Sequence, residues 1–284
     1  MITTDPKRPV IIQGSAGSGK TTVALHRLGW LLHKGNSHAR AENTRVIVMN
    51  KSLQIYVSST LPSMGINGVG AVTFNSWALS IIRHATRGKT FFKYRELPEF
   101  VEKIKFSNGI LGALSQFVSQ KVRGVDAAIS REFLTKEKLL EVWKKSDNKA
   151  LQPRLKDFKH DVSESDLPIN EKQVALDYVQ NLLTNQEDHV GDLYELLSDA
   201  KLLGSFLPAE PKLEEHLSYL SRMVDRNRKN NHLDYYDMSL ILRLIQLKYG
   251  GLPNKHGGVS ELDHLVIDEA QDFGPVEFSI MMDS

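Results

Sequence analysis

The chain has no cysteine among its 284 residues. That absence excludes a disulfide-stapled scaffold, a thiolate metal site and a thiol nucleophile. It suits a reducing compartment, so a cytoplasmic protein is expected. A large net charge is missing too. Lys and Arg number 36 against 34 for Asp and Glu, a formal balance of +2, so no global field singles out nucleic acid or a membrane surface. No apolar run approaches the ~20 residues of a membrane-spanning helix. The opening MITTDPKRPVIIQG has neither the apolar core nor the small-residue cleavage site of a secretory signal. No membrane partner is therefore expected. The 10 histidines are scattered without ligand spacing, and no internal repeat or low-complexity tract occurs. What remains is ordinary globular composition, 41% apolar and 25% charged, in a length that suits two modest domains.

Local patterns then divide the chain. Val10–Gln13 is a short apolar run that reads as a buried strand feeding a glycine loop. From Thr21 an apolar stripe of Val23, Ala24, Leu28, Leu31 and Leu32 predicts a helix, closed at Gly35–Asn36. Arg45–Met49 and Val69–Phe74 read as further strands, and a helix with Trp77, Ile81 and Ile82 on one side follows. This alternation predicts a parallel sheet with helices on its faces. From about Thr86 to Asn231 it stops, and no convincing strand appears. Asn170 and Gln173 suggest a capping box ahead of Val174, Tyr178 and Leu182. Leu213, Leu217, Leu220 and Val224 keep helical spacing, and Pro153, Pro168, Pro208 and Pro211 read as breaks between helices. Leu240–Leu247 is another apolar helix, YGGLPNKHGG (Tyr249–Gly258) a loop, and Leu265–Ile267 a strand again. A mostly helical insertion thus interrupts an α/β pattern that later resumes.

The chemistry sits at the two ends. IIQGSAGSGKTT (Ile11–Thr22) contains Gly14-x-x-x-x-Gly19-Lys20-Thr21, the spacing of a phosphate-binding loop. Gly14, Gly17 and Gly19 tolerate backbone angles closed to other residues. Such a loop, Gly14, Ser15, Ala16, Gly17, Ser18, Gly19, Lys20, Thr21 and Thr22, turns its amides inward around phosphate oxygens. A helix N-terminus adds partial positive charge. ATP and Mg²⁺ are the expected cofactors. Lys20 reaches the β- and γ-phosphates and the Thr21 hydroxyl ligates the ion. A loop of this kind needs a carboxylate on a neighbouring strand, and LVIDEAQD offers Asp268 at a strand's C-terminal end, where ligands bind in open α/β sheets. Glu269 is placed to orient or deprotonate water. Adjacent acids at a strand end also suit a plain helix N-terminus, and the distant loop is what favours the metal reading.

These residues carry a resemblance. QGSAGSGKTTVALHRLGWLL resembles motif I of UvrD/Rep-type superfamily 1 helicases, including the His26–Arg27 pair, and LVIDEAQD resembles their motif II. The EAQD form is similar to the HelD branch of helicase IV-like proteins. AVTFNSWA (Ala71–Ala78) resembles the threonine–phenylalanine motif after the third strand, and LDYYDMSLIL (Leu233–Leu242) the aspartate–aromatic–aspartate motif upstream of motif II. The likeness covers about residues 8–85 and 232–283. It implies an α/β P-loop NTPase fold of RecA-like type, a three-layer parallel sheet with a large, mostly helical insertion. Residues 1–88 and 231–284 would form the ATP-binding domain, called 1A in the family, and 89–230 the inserted 1B. It implies ATP-driven movement on single-stranded DNA, or on DNA with a single-stranded tail. Lys20 and Thr21 would contact phosphate and Mg²⁺, Asp268 would hold Mg²⁺, Glu269 would be the catalytic base, and Gln271 would sense the γ-phosphate. Asn50, Lys51, Thr73 and Phe74 fall where the family contacts the strand. A HelD-like member would instead remodel RNA polymerase. A P-loop NTPase without a nucleic-acid role is a further alternative.

The chain departs from the family pattern in several places. VMNKSL lacks the usual threonine–phenylalanine after the second strand, and Asn75 stands where a histidine is usual. Gln13 is too near the loop to be the adenine-reading glutamine. The third helicase motif and the second RecA-like domain, with its arginines, are expected in cis beyond these residues. The expectation is a fragment that binds nucleotide weakly and lacks residues for turnover, or a short protein whose partner supplies the rest. The even net charge hides an asymmetry: Arg87–Lys159 holds 17 basic and 9 acidic residues, His160–Asp225 4 basic and 14 acidic. That suggests a basic lobe facing nucleic acid and an acidic lobe facing away. Phe91–Arg95, Trp143–Lys145 and Arg226–Lys229 suit single strands, or solvated faces with their aromatics in the core.

Overall fold

A computed structural model describes residues 2–88, 90–254 and 258–284. The Lys255–Gly257 part of the expected Tyr249–Gly258 loop lies outside the described residues. In chain order the elements are α1 (Lys20–Leu31), β1 (Thr44–Val48), α2 (Lys51–Ser63), β2 (Gly70–Thr73), α3 (Phe74–Ala85), β3 (Phe92–Lys93), α4 (Glu99–Lys105) and α5 (Asn108–Glu132). Then come α6 (Glu137–Lys145), α7 (Leu151–Glu164), α8 (Ile169–Gln186), α9 (His189–Ser198), α10 (Ala200–Gly204) and α11 (Leu213–Lys229). The chain closes with β4 (Leu233–Asp234), α12 (Tyr235–Tyr249), β5 (Leu252–Pro253), β6 (Val259–Ser260), β7 (His264–Ile267) and α13 (Pro275–Met282). Among the described residues no helix is long and apolar enough to cross a membrane.

Two compact units result: Met1–Trp77 with Glu261–Met282 and Ser284, and Ala78–Ser260 with Asp283. The sequence pattern places the divisions at 88/89 and 230/231, whereas α12 packs against α5, α7 and α9 of the second unit. Its buried face explains this: Met238, Leu240, Ile241, Leu242, Leu244 and Ile245 need apolar partners, which those helices supply.

The first unit is a parallel sheet of order β2-β1-β7. Val46 pairs with Ala71 on one side of β1 and with Val266 on the other. Val46, Ile47 and Val48 are wholly buried, the continuous apolar run of a strand covered on both faces. Leu25 and Leu28 of α1 and Val57 and Leu61 of α2 join Val46, Val48, Ile66 and Ala71 in one cluster. Each fully buried Leu, Ile or Val there stabilises by about 1.5–3 kcal/mol. The buried Arg27 donates to the carbonyls of Ile2, Thr4 and Asp5, at 3.0, 3.0 and 3.2 Å, and so fixes the turn ahead of the loop.

One expected strand is absent. Val10–Gln13 makes no ladder, and Ile11 is 91% exposed. A strand exists only against a neighbour, and among the described residues β7 pairs with β1 alone. An apolar run is therefore not enough by itself.

The second unit is built on α5, with a hairpin of α7 and α8 against it. Phe133, Trp143 and Phe158 meet edge to face, within a cluster that includes Ile129, Leu155, Val162, Val179 and Leu183. Trp143 donates its indole N–H to Asp126 at 3.0 Å and lies under the Arg154 guanidinium. It is a core residue, not a stacking surface. Other expectations are corrected as well. Pro153 does not separate helices but sits in the first turn of α7, where an amide has no intrahelical acceptor to lose. The Asn170 capping box does not form, because α8 starts a residue earlier behind Pro168. Gln173 instead donates to Asp177 at 2.9 Å. The basic and acidic stretches do not face apart. Lys121 of α5 pairs with Asp192 and Glu195 of α9, Lys136 with Glu171, and Arg87 with Glu187. A short strand, β3, also occurs inside the helical stretch and pairs with β4.

LDYYDMSLIL folds as a cap. The Asp234 side chain accepts from the amides of Tyr236 and Asp237, and Asp237 accepts from the Asp234 amide, a reciprocal capping box at the start of α12. Both carboxylates also meet the buried Lys105 ammonium, at 2.7 and 2.5 Å. Burial opposes that charge, but Asp237 and Asp234 hold the Lys105 pKa above its ordinary value. Burial pushes Asp237 up to about 6, against the pull of Lys105.

Candidate nucleotide site

In a parallel sheet all strands end on one side, and here that side gathers the candidate residues. Asn50 follows β1, Thr73 ends β2, and Asp268 follows β7. The Asp268 amide donates to Ile47 O at 2.9 Å, so the ladder fixes its backbone.

The glycine loop is tied to this edge through one side-chain bond. Gly17 and Gly19 have φ of 76° and 81°, a region where an L side chain is strained. The Ser18 amide donates to Ser15 O at 3.2 Å, which closes a turn inside the loop. Gly19 caps α1, whose first turn holds no acid. Its first amides, from Lys20 onward, have no partner within the helix, and their dipoles favour an anion. Lys20 Nζ donates to Ser15 O at 3.0 Å, folded back over Gly14–Gly19. Thr22 is exposed beside it. Thr21 Oγ1 donates to Asp268 Oδ1 at 3.0 Å, joining residues 247 apart in sequence.

That pair fits a small divalent ion. Octahedral Mg²⁺ takes oxygens at about 2.0–2.1 Å, so adjacent oxygens lie about 2.9 Å apart. Thr21 Oγ1 and Asp268 Oδ1 already have that separation. Among the described residues no cluster of three or more His, Asp or Glu offers a full protein shell. An ion here would share its shell with water and phosphate, as Mg²⁺ does.

Glu269 adopts φ 52°, left-handed and strained for a residue with a side chain. The bend stops β7 and starts the single turn Ala270–Asp272, where the Asp272 amide donates to Glu269 O at 2.9 Å. Gln271 Nε2 donates to Glu269 Oε2 at 2.7 Å, so the two expected catalytic side chains hold each other. Glu277 accepts from the Gly274 amide and caps α13, with its carboxyl raised by burial. A concavity of about 840 Å³ lies beside Trp30, His33, His38 and Arg40, and Gly14–Thr21 are not among its lining residues.

The expected strand-contact residues have structural tasks. Asn50 caps α2, its side chain accepting from Leu53 N at 3.0 Å. Lys51 is exposed and donates to Gln54 Oε1 at 3.1 Å. Thr73 Oγ1 accepts from Ser76 N and donates to Ser76 Oγ. Phe74 departs from the expectation: it is 3% exposed, with its ring beside Trp77 and Phe273, and presents no face to a base. Two buried cations, one in each unit, have structural tasks that the sequence pattern does not state. Arg27 positions the turn before the loop. Lys105 anchors the Asp234–Asp237 box from 129 and 132 residues away.

A glycine loop capping a helix, with its threonine bonded to an acid at the end of a parallel strand, defines a P-loop NTPase. The chain belongs to the UvrD/REP helicase N-terminal domain family, whose match runs over residues 1–283. That is a family of ATP-dependent DNA helicases, which use ATP with a divalent metal. Comparison with curated proteins and with solved structures returned no match.

Proposed function

We propose that this chain is the ATP-binding part of a motor that couples ATP hydrolysis to movement along single-stranded DNA. The Thr21–Asp268 bond is the observation that carries the reading, because it brings the loop and the strand-end acid into one metal-sized gap. In this reading the unit of Met1–Trp77 and Glu261–Met282 is the RecA-like ATP-binding domain, and the helical unit is its insertion. Bound Mg²⁺ supplies charge neutralisation between phosphate oxygens.

The remaining work falls to side chains. The Gly14–Thr22 amides hold phosphate oxygens. Lys20 leaves Ser15 O and turns its ammonium to the terminal phosphates. Thr21 and Asp268 turn their facing oxygens to the ion. Glu269 accepts the proton of the attacking water, and Gln271 fixes the carboxylate that accepts it. Strain at Glu269 keeps that carboxylate at the sheet edge rather than in a helix. Lys51 and Thr73, at the same edge, are the strand contacts retained. Asn50 joins them only through its amide N–H₂, since its oxygen is used as a cap.

A fluorescent ATP analogue titrated in Mg²⁺ tests the reading. Lys20→Ala is expected to abolish its binding while the helical content stays unchanged. Undiminished binding removes the loop assignment and the reading with it.

A further inference from the structure

Helix α5 contains three glycines, Gly109, Gly112 and Gly124, and the fold accounts for two of them. A Cβ at Gly109 would stand 2.3 Å from Phe206 O, and one at Gly112 would stand 2.4 Å from the Phe206 ring. The Phe206 segment packs against the helix there, and a side chain at either position would push it off. Gly124 is different. It lies in mid-helix, where glycine is less stable than alanine. Its Cβ would meet nothing within 4 Å. Among the described residues, none uses the space that its missing side chain leaves.

That space belongs to a cleft of about 290 Å³ between α5, α8 and α9. Gly124 and Ala128, one turn apart, line it together with the buried Phe117 and Val125 and with Leu182 of α8. Two acceptors at the cleft are open. Gln186 of α8 is 9% exposed, and its Oε1 is buried with no hydrogen-bond partner. Its backbone is held, because Gln186 O accepts from Lys248. Glu195 of α9 has a side chain 57% exposed. Lys121 donates to its Oε2 at 2.5 Å, and its Oε1 has no hydrogen bond among the described residues. Lys121 is the one cation lining the cleft, and it is already shared between Glu195 and Asp192.

These features select a guest. The apolar walls suit a short hydrocarbon stem. The two open acceptors, one of them a carboxylate, need N–H donors. The bare helix at Gly124 admits a flat group. A guanidinium on its stem meets all three needs, since it is planar, weakly hydrated and rich in donors. An ammonium is compact and gives up water less readily. An anion would face Glu195 and find Lys121 taken. The cleft is open to solvent at the exposed Gly124. A free small molecule would keep much of its surface in water there, whereas small-molecule sites bury about 70–90% of their ligand. A side chain carried by a larger partner is covered by that partner, and arginine is a common anchor of such interfaces. The geometry points to this cleft as the seat of an arginine side chain from a partner protein, with the guanidinium donating to Gln186 Oε1 and Glu195 and the stem lying over Gly124. The site lies wholly within the helical unit and does not depend on the nucleotide reading above.

The test is a titration followed by NMR. The probe is a capped tripeptide with a central arginine and a fluorinated cap, read by its fluorine signal. The chain is labelled with nitrogen-15 glycine, so that the Gly124 amide, assigned by its loss in Gly124→Ala, locates the contact. A dissociation constant on the order of 1 mM is expected for so few atoms. The lysine tripeptide and free L-arginine, added as competitors, are expected to bind no tighter than the probe, the lysine form several-fold weaker. Gly124→Leu fills the cleft and is expected to weaken the probe by about tenfold or more. Its thermal midpoint is expected at or above the parent's, since leucine is the better helix former and the space is open. Glu195→Gln keeps the shape and removes the charge, and is expected to weaken the probe by about fivefold. The proposal is overturned if either variant binds the probe like the parent, if the Gly124 amide does not move, or if the lysine tripeptide binds as tightly. Free L-arginine binding tighter than the probe by about tenfold would make this a small-molecule site and overturn the partner assignment.

Discussion

His189 makes the helical unit labile to acid, by an amount that can be worked out. It opens α9, is 1% exposed, and neither ring nitrogen has a hydrogen-bond partner among the described residues. Burial first, and the nearby Lys248 ammonium second, push its pKa from 6.5 to about 3. Lys248 itself is buried, bonded to Asp192 at 2.5 Å and to Gln186 O. The imidazole is therefore neutral in the fold and takes a proton near pH 6.5 when unfolded. For a depressed base, this stability is fully present above pH 6.5 and is lost as pH falls toward 3. At pH 5 the unfolded chain has gained the proton and the folded chain has not, a loss of about 2 kcal/mol relative to pH 8. His189→Phe removes the proton site and keeps a flat ring beside Tyr249. Urea unfolding followed by helical circular dichroism, at pH 8 and pH 5 on both chains, measures the effect. Every other titration is common to both, so the difference of differences isolates this residue. The variant is expected to be at least as stable at pH 8, since an unpaired buried polar group is gone, and to lose about 2 kcal/mol less on acidification. A variant that loses as much as the parent refutes the reasoning.

Two further outcomes follow from the buried and strand-end carboxylates. Lys105→Met leaves Asp234 and Asp237 facing each other without a cation and is expected to cost about 3–5 kcal/mol in urea unfolding. Asp237→Asn keeps an acceptor for the Asp234 amide and leaves a one-to-one pair, so it costs less; equal costs would show that charge is not what Lys105 supplies. On the proposed reading, Asp268→Asn keeps a neutral oxygen at the site but removes the charge that would hold the ion. EDTA is therefore expected to weaken nucleotide binding by the parent more than by the variant; an equal loss would remove Asp268 from the metal site.

What could be read from sequence was what is local. The phosphate loop states its own backbone needs in Gly17 and Gly19, and both take the left-handed angles those needs require. Arg45–Met49 and Leu265–Ile267 carry enough β-branched and apolar residues to be buried strands whatever surrounds them. Val10–Gln13 has the same composition and fails, since a ladder is a property of two segments. The capping box at Asn170 lost to Pro168, which starts α8 one residue earlier, while Gln173 bonds Asp177 instead. Charge counts along the chain suggested two lobes, yet charge acts through space, and Lys121, Lys136 and Arg87 find their carboxylates in the acidic stretch.

The strand-contact motif shows the same limit in its sharpest form. Asn and Thr at the C-terminal edge of a sheet are the residue types that bind a phosphodiester, and they are equally the types that cap the next helix. Sequence cannot choose between these uses, because both need a short side-chain oxygen at one position. In the structure both oxygens serve caps, with Asn50 Oδ1 accepting from Leu53 N and Thr73 Oγ1 bonded to Ser76. Phe74 faces the corresponding choice between a base and the core, and its burial decides it. Phe91 and Tyr94, outside any shared motif, are among the rings that packing leaves exposed, as are Tyr56 and Tyr235.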